Sequence, residues 1–360
     1  MPSDTMTSPM ATEGTGEERG PVGRALEKIG SFAATVGKSG PKKRPVRILV
    51  EGGLAVAIFG FLVFTVVSQW SEIRQQGLEF SVLWLAPALA VMIAYYTVAA
   101  WLWGVILARL GSRISFEESQ RIWALPLLVR YIPGSVLFLL ARILLAERVG
   151  VPRRVATAGI VYEQAISIAA ALAISTWFLI AHPDLSDTWT RWLPLLAVPL
   201  LVGVLHPKIF GPLSTKLLTA LGREPLPETI AFRSVIGLFG LYVLTWLIMG
   251  VGVFFAARSV YVLGVGDLIV VAASQTIGFL AAVASAVVPA GLGVRDAAFA
   301  WAVKVTIPSE SFGVGAALAI AVRATQTVAE LIYVGSVSVV DRRRRVEETG
   351  RLEPEKAPGS

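Results

Sequence analysis

The sequence predicts an all-α polytopic integral membrane protein, with about six full spans and two broken or re-entrant helical hairpins in an inverted-topology repeat. Of its 360 residues, 55% are hydrophobic, and the mean hydropathy of +0.68 lies well above that of soluble globular chains. Apolar runs of about 20 residues, the length that crosses a bilayer, recur along the chain. Basic residues cluster beside these runs, as in cytoplasmic loops of membrane proteins.

The N-terminal segment, residues 1–47, is predicted to be cytoplasmic, basic and partly disordered. Residues 1–20 are polar and of disorder-prone composition. From Leu26 to Val36 apolar residues recur at helical spacing, which fits either a helix on the membrane surface or a basic tether. Eight of the 32 lysines and arginines lie in 1–47, which indicates a position beside anionic lipid rather than nucleic-acid binding.

The transmembrane domain is predicted to cover residues 48–340, with a basic and polar cytoplasmic tail at 341–360. One expected span, Trp192–Leu205, has only 14 residues. It is assigned because the charges on both sides of it require a crossing. The loop charges place both termini in the cytoplasm and the protein in the cell (plasma) membrane. The six full spans expected are Ile48–Trp70, Val82–Leu110, Val155–Ile180, Trp192–Leu205, Phe232–Phe255 and Val314–Val340.

Two apolar stretches are interrupted near their middle. Residues 122–145 are broken at Pro133-Gly134 and have basic residues on both flanks, so both ends are expected in the cytoplasm and the stretch is expected to be re-entrant. Residues 268–306 are broken after Pro289 and are expected to enter and leave from the outside. Because 268–288 is long enough to cross, this second stretch is either re-entrant or a pair of unequal short helices.

The order of these segments predicts an internal repeat with halves at about 48–181 and 192–340. Each half runs span, span, broken hairpin, span, and the two halves begin on opposite sides of the membrane. The spacing agrees, since Pro133 and Pro152 are 19 residues apart and Pro289 and Pro308 are also 19 apart. Inverted halves with Pro/Gly breaks at corresponding places are typical of secondary transporters.

The breaks predict a site for anions near the middle of the membrane. Proline removes a backbone donor, glycine permits a tight reversal, and the freed N–H groups need a protein or aqueous partner. Half-helices starting at Gly134 and near Gly291 would direct their N-termini at an anion, above all phosphate. Arg130, Arg142 and Arg295 supply nearby cations. The alternative is a pair of kinked helices with snorkelling arginines.

Ionisable residues inside spans mark the same region. Glu163 and Arg323 lie at corresponding places in the two halves with opposite charge, and we expect them to be coupled across the repeat interface. Glu330 follows Arg323 on the same helical face. An ion pair that only holds helices together is the structural alternative. Asp296 is expected to neutralise its neighbour Arg295.

The predicted substrate-binding residues therefore combine the breaks with the buried charges. No catalytic residue, metal site or cofactor is expected, because there is no cysteine, no Asp-rich motif and no serine nucleophile signature, and the two histidines are far apart. The tryptophans of the spans, Trp101, Trp103, Trp123 and Trp177, are expected in the interfacial belt. The full set of expected binding residues is Arg130, Pro133, Gly134, Arg142, Glu163, Gly291, Gly293, Arg295, Asp296, Arg323 and Glu330.

At these residues the chain resembles the transmembrane (flippase) region of the lysylphosphatidylglycerol synthase family, over residues 48–340. The similar features are "RYIPG" (130–134) with Arg142 after it, "VGVP" (149–152), Glu163, "PAGLGVRD" (289–296) and Arg323. The departures are Ala290 for a glycine, Asp296 for a glutamate, and Gln164 where an arginine often follows the glutamate. The last departure bears on how charges pair around Glu163.

The resemblance implies movement of an anionic phospholipid or lipid-linked anion across the bacterial cytoplasmic membrane. About 20 residues follow the last span, so we expect a stand-alone member without the aminoacyl transferase domain and, on balance, no enzyme. The alternatives are a membrane-embedded enzyme or accessory subunit acting on polyprenyl-phosphate-linked sugars, or a scaffolding protein. Candidate partners are an anionic phospholipid or polyprenyl-phosphate lipid, a second copy of the chain, or a lipid-synthesising enzyme.

Overall fold

The computed structural model describes residues 81–131, 136–181, 192–220, 222, 224–284, 293–306 and 312–352. Within these ranges the chain forms ten α-helices, one 3-10 helix at Leu125–Tyr131, and no strand. The α-helices are α1 (Val82–Arg109), α2 (Phe116–Ala124), α3 (Val136–Glu147), α4 (Arg153–Ala181), α5 (Leu193–Val204), α6 (Pro207–Ala220), α7 (Phe232–Arg258), α8 (Asp267–Ala284), α9 (Val294–Thr306) and α10 (Phe312–Leu352).

Five of these helices, α1, α4, α7, α8 and α10, are long and apolar enough to cross a membrane, and the bent pair α5–α6 would make a sixth crossing if it counts as one span. The prediction of an all-α polytopic membrane protein is therefore confirmed. Four of the expected spans fall on α1, α4, α7 and α10. The first expected span, 48–70, lies outside the described residues, and the inverted repeat stays a prediction.

Two expected boundaries differ from the structure. The expected span Trp192–Leu205 corresponds to a helix of only 12 residues, α5, after which the chain bends by 63° into α6. Pro207 opens α6, where a residue without a backbone N–H is tolerated because the first turn needs no such donor. At the other end of the chain, α10 does not stop at 340 but continues through the arginine run to Leu352.

One end of the helix bundle, called here the basic end, is held by ion pairs between helix termini. Arg121 of α2 pairs with Asp341 of α10 at 3.2 Å, and Glu117 of α2 pairs with Arg344 of α10. These two contacts place the start of α2 beside the far end of α10. The start of α2 is also ordered locally, because Ser115 and Glu118 form a capping box.

The end of α3 and the start of α4 meet the loop before α7. Glu147 pairs with Arg153 at 2.8 Å, and Arg154 pairs with Glu224. The hydrogen bond from Arg154 and its positive charge lower the pKa of Glu224. This ion pair is therefore present at neutral pH and is lost only as the pH falls through that lowered pKa.

The same loop lies beside the end of α1. Gly111 directly follows α1 and sits next to the side chain of Glu228, while Arg109 donates a hydrogen bond to Ser234 at 2.7 Å. The basic end therefore brings together five helix termini, which are the ends of α1 and α3 and the starts of α2, α4 and α7. Both ends of the stretch 116–147 lie at the basic end, as a re-entrant hairpin requires, although residues 132–135 between its arms lie outside the described part.

The opposite end of the bundle joins the start of α1 to the end of α7. The Ser81 N–H donates to the Ser259 carbonyl at 2.7 Å, and the ring of Trp84 stacks on Phe255 with centroids 5.7 Å apart. The guanidinium of Arg258 lies 4.3 Å from the centre of the Trp84 ring. Helices α1 and α7 are therefore antiparallel along their whole length.

Close backbone contacts fix α9 between α8 and α10. A Cβ on Gly278 of α8 would lie 2.8 Å from the carbonyl oxygen of Arg295, and one on Gly315 of α10 would lie 2.5 Å from the carbonyl oxygen of Ala300. Small residues at such contacts let membrane helices approach closely. The second interrupted stretch contains a helix of 18 residues, α8, and one of 13, α9, so its two helices are unequal.

We expect Gly278→Ala to destabilise the protein and displace the first turn of α9, because a backbone carbonyl cannot rotate away as a side chain can. Overpacking of this kind costs about 1–3 kcal/mol. Gly237→Ala on α7 is the matched control, since nothing lies within 4 Å of its Cβ position. Thermal unfolding in detergent gives the melting temperature of each variant. Equal melting temperatures for the two variants would contradict the close α8–α9 contact.

A labelling experiment tests the re-entrant prediction, and the natural absence of cysteine makes single cysteines clean probes. We expect Arg113→Cys and Arg148→Cys, on the two sides of the hairpin, to be protected from a membrane-impermeant maleimide in intact cells. Val262→Cys, 85% exposed at the opposite end, should react. Labelling of only one of positions 113 and 148 would mean that the stretch between them crosses the membrane.

Candidate functional site

A buried ion pair joins α3 to α4. Arg142, in the middle of α3, is 1% exposed, and Glu163 of α4 is 4% exposed. Their side chains meet with 2.6 Å between Nη1 of Arg142 and Oε2 of Glu163. Buried charges are tolerated when each is paired and hydrogen-bonded, which this contact begins to satisfy.

Aromatic rings complete the surroundings of this pair. The indole N–H of Trp123 in α2 donates to Oε1 of Glu163 at 2.9 Å, whereas Oε2, which contacts Arg142 as an ion pair, has no hydrogen-bond donor among the described residues. The guanidinium of Arg142 lies 4.6 Å from the ring centre of Trp103 and 5.9 Å from those of Trp123 and Phe138. Cation–π attraction of this kind gains strength where water is excluded.

The guanidinium of Arg142 uses only part of its donor capacity. Among the described residues, its Nε and Nη2 atoms are buried and have no hydrogen-bond partner. The N–H groups on those two nitrogens are parallel, and such a fork binds carboxylate or phosphate through two hydrogen bonds. The hydroxyl of Tyr242, which also lacks a partner in the described part of the chain, interacts electrostatically with Arg142 and Glu163.

A second buried carboxylate lies beside this pair. The Tyr96 hydroxyl donates to Oε1 of Glu330 at 2.8 Å, and the Tyr96 ring stacks on Tyr333 with centroids 5.6 Å apart. The Tyr333 hydroxyl donates to Gln120 at 2.7 Å. The rings of Tyr96 and Trp123, 5.9 Å apart, connect the two carboxylates. We call the set Arg142, Glu163, Trp123, Tyr96, Glu330, Tyr333 and Gln120 the central polar network.

Arg295 borders this network from the other half of the chain. It lies in the first turn of α9 and donates from Nη2 to Oε1 of Gln326 in α10 at 2.8 Å. Gln326 in turn donates to the sulfur of Met249 at 3.7 Å. Since Gln326 lies one helical turn before Glu330, Arg295 and Arg142 approach the network from different sides.

The turn before α9 explains the glycine in front of Arg295. Gly293 has a φ of +83°, in the left-handed region that glycine adopts without strain. Its N–H lies 3.4 Å from the carboxylate of Asp296, which caps the start of α9. The role expected for Asp296, to neutralise Arg295, stays a prediction.

The network lies well inside the bundle. Glu163 is ten residues beyond Arg153, or about 15 Å along α4 from the basic end. Glu330 is 11 residues before Asp341, or about 16.5 Å along α10. Because the hydrocarbon core of a bilayer is about 30 Å thick, these depths correspond to its middle region.

The family model for the lysylphosphatidylglycerol synthase TM region matches residues 52–332. The chain belongs to this family. Searches of curated proteins and of solved structures found no match. Membership in the lysylphosphatidylglycerol synthase TM region family identifies a membrane protein of lipid metabolism or transport, in a family related to phosphatidylglycerol-type lipids. The matched range contains every residue of the central polar network except Tyr333.

The structure brings some of the predicted site residues of this family member together and separates others. Glu163 pairs with Arg142, and no ion pair joins it to Arg323 among the described residues, so the expected coupling of Glu163 to Arg323 does not run through a direct ion pair. The half-buried Arg323 makes no ion pair within the described part of the chain. Gly134, Pro133 and Gly291 lie outside the described residues, as does the side chain of Arg130.

Sequence reasoning missed most of the aromatic part of the site. Trp103 and Trp123, expected in the interfacial belt, are 0% and 8% exposed and line the network, whereas Trp101 and Trp177 are 45% and 48% exposed. Residues two apart on a helix point about 200° from each other, so Trp101 and Trp103 on α1 were never able to share one lipid-facing surface. The two-residue spacing of Trp101 and Trp103 therefore indicates that one of the two tryptophans is buried.

A double-mutant cycle tests the Arg142–Glu163 pair. Glu163→Gln and Arg142→Gln each leave an unpaired buried charge, at a cost of about 3–5 kcal/mol, while the double variant should lose less than the sum. The control is Glu163→Gln with Arg323→Gln, which should be additive because those residues do not touch. The measurement is thermal unfolding in detergent, and additivity in the first cycle would contradict the pairing.

Proposed function

We propose that this protein moves anionic phospholipids, or other lipids that carry a phosphate, between the leaflets of the bacterial cytoplasmic membrane. The observation that carries this proposal is the buried two-N–H fork of Arg142, which has no partner among the described residues. Nη1 stays with Glu163 while the N–H groups of Nε and Nη2 donate to the phosphate oxygens, so one guanidinium holds both. The coarser role in lipid metabolism or transport follows from family membership.

Two features of the site favour binding of a lipid phosphate. The positive charge of Arg142 is balanced by Glu163, and its aromatic walls keep water out, which strengthens every electrostatic contact inside. Arg295 adds a second cation at the start of α9, where the helix N-terminus also favours an anion. A phosphate passing from one arginine to the other would stay within the middle of the membrane.

Access to Arg142 requires helices to separate, because the residue is 1% exposed. The hairpin that carries it is held to α10 by the ion pairs Arg121–Asp341 and Glu117–Arg344, which are partly exposed. Pairs of this kind contribute only about 0–1 kcal/mol each, so little free energy opposes their opening. In this proposal the basic end faces the cytoplasm, and rocking of the two halves exposes the arginines to either leaflet in turn.

The test replaces arginine with lysine, which keeps the charge and the pairing with Glu163 but loses the fork. The purified protein is reconstituted in vesicles containing a fluorescent phosphatidylglycerol, and dithionite quenching counts the outer-leaflet lipid over time. We expect Arg142→Lys and Arg295→Lys each to slow transport about tenfold or more, as loss of a charge-assisted hydrogen bond of about 1.5–3 kcal/mol implies. Thermal unfolding should change little.

The matched control is Arg113→Lys, an exposed arginine in the loop after α1, which should transport as the parent does. Parental rates for both network variants at equal protein density would refute the phosphate fork. A parent that moves neither phosphatidylglycerol nor a polyprenyl phosphate would refute translocation and favour an enzyme or accessory subunit at the same site.

A further inference from the structure

Helix α6 has three distinct sides when its residues are placed about 100° apart. Phe210 is buried and its ring lies 4.5 Å from that of Tyr162 in α4, so this side faces the protein. The residues Ser214 and Leu218 continue the same side and are half-buried. The other two sides are exposed, and they differ from each other in chemistry.

The first exposed side is apolar. Ile209, Leu213 and Leu217 follow one another at intervals of four residues and are 50%, 56% and 62% exposed. The second exposed side carries Lys208, about 100° around the helix from Ile209, and Lys216, also exposed, borders the apolar side about 20° from Ile209. A spanning helix would surround Lys216 with hydrocarbon, whereas a helix lying in the interface would not.

Both ends of α6 are tied to the basic end of the bundle. The ring of His206, just before α6, lies 4.8 Å from that of Phe232, the first residue of α7. After α6 ends at Ala220 the chain reaches Glu224, which pairs with Arg154 at the basic end. Together with the 63° bend after α5, these contacts make α6 run along the basic end rather than away from it.

From this placement we infer that α6 lies in the plane of the membrane at the basic end and binds anionic phospholipid headgroups. Ile209, Leu213 and Leu217 contact acyl chains, and Lys208 and Lys216 contact the lipid phosphates above them. Lysine on the water side of an apolar stripe is the arrangement that anionic surfaces select. This contact with the leaflet and the transport of lipid at Arg142 are separate properties, and either can exist without the other.

The position of α6 is tested by spin labels at single cysteines in Ile209→Cys, Leu213→Cys and Leu217→Cys, with Lys208→Cys as the matched control. The protein is placed in vesicles of phosphatidylethanolamine and phosphatidylglycerol, and label depth is measured from oxygen and nickel-complex accessibility. We expect the three apolar positions to share one depth below the headgroups and position 208 to be accessible to nickel. A depth change of about 12 Å between 209 and 217 would mean a spanning helix and would overturn the inference.

Lipid selectivity is tested with a fluorophore at Leu213→Cys and brominated lipids that quench it on contact. We expect brominated phosphatidylglycerol to quench the fluorophore more than brominated phosphatidylethanolamine does. Each of the substitutions Lys208→Gln and Lys216→Gln should weaken this preference for phosphatidylglycerol by about fivefold. Lys304→Gln, an exposed lysine on α9, should leave the preference unchanged. Equal quenching by the two lipids in the parent, or quenching by neither, would refute an anionic-lipid surface.

Discussion

An arginine buried in the middle of an apolar helix bundle is the constraint on which the rest of this structure depends. Arg142 is excluded from water, so its charge must be balanced from inside the protein. Glu163 supplies the balance, Trp123 orients Glu163, and Trp103 covers the guanidinium face. Four helices, α1 to α4, are thereby held in one arrangement by a single cation.

The two arginines of the site differ in the partners that they contact. Arg142 forms an ion pair with a carboxylate and is fully buried, whereas Arg295 donates to the amide oxygen of Gln326 and is half-buried. Both contacts involve a guanidinium cation, but only the first joins two opposite charges.

The fold class was predictable because a bilayer imposes a length on apolar helices, and α1, α4, α7 and α10 lie close to their expected bounds. The site was predictable only in part. Arg142, Glu163 and Glu330 stood out because charge inside a span is costly, but which charges meet depends on how each helix is rotated. Glu163 and Arg323 were expected to interact because they lie at similar positions in the two halves. The depth of a residue along its helix does not specify which neighbouring helix its side chain faces, and Glu163 faces Arg142. Tyr96 and Tyr333 carry no charge and gave no signal of their own.

The continuation of α10 to Leu352 joins the central polar network and the basic end through one uninterrupted helix. From Arg323 to Leu352 it spans about 44 Å, longer than the hydrocarbon core of a bilayer. Glu330 lies in the network and Gln326, one turn before it, accepts a hydrogen bond from Arg295, whereas Asp341 and Arg344 lie at the basic end. A tilt of α10 about its buried contacts would therefore displace the Leu352 end farther than the residues beside Arg295.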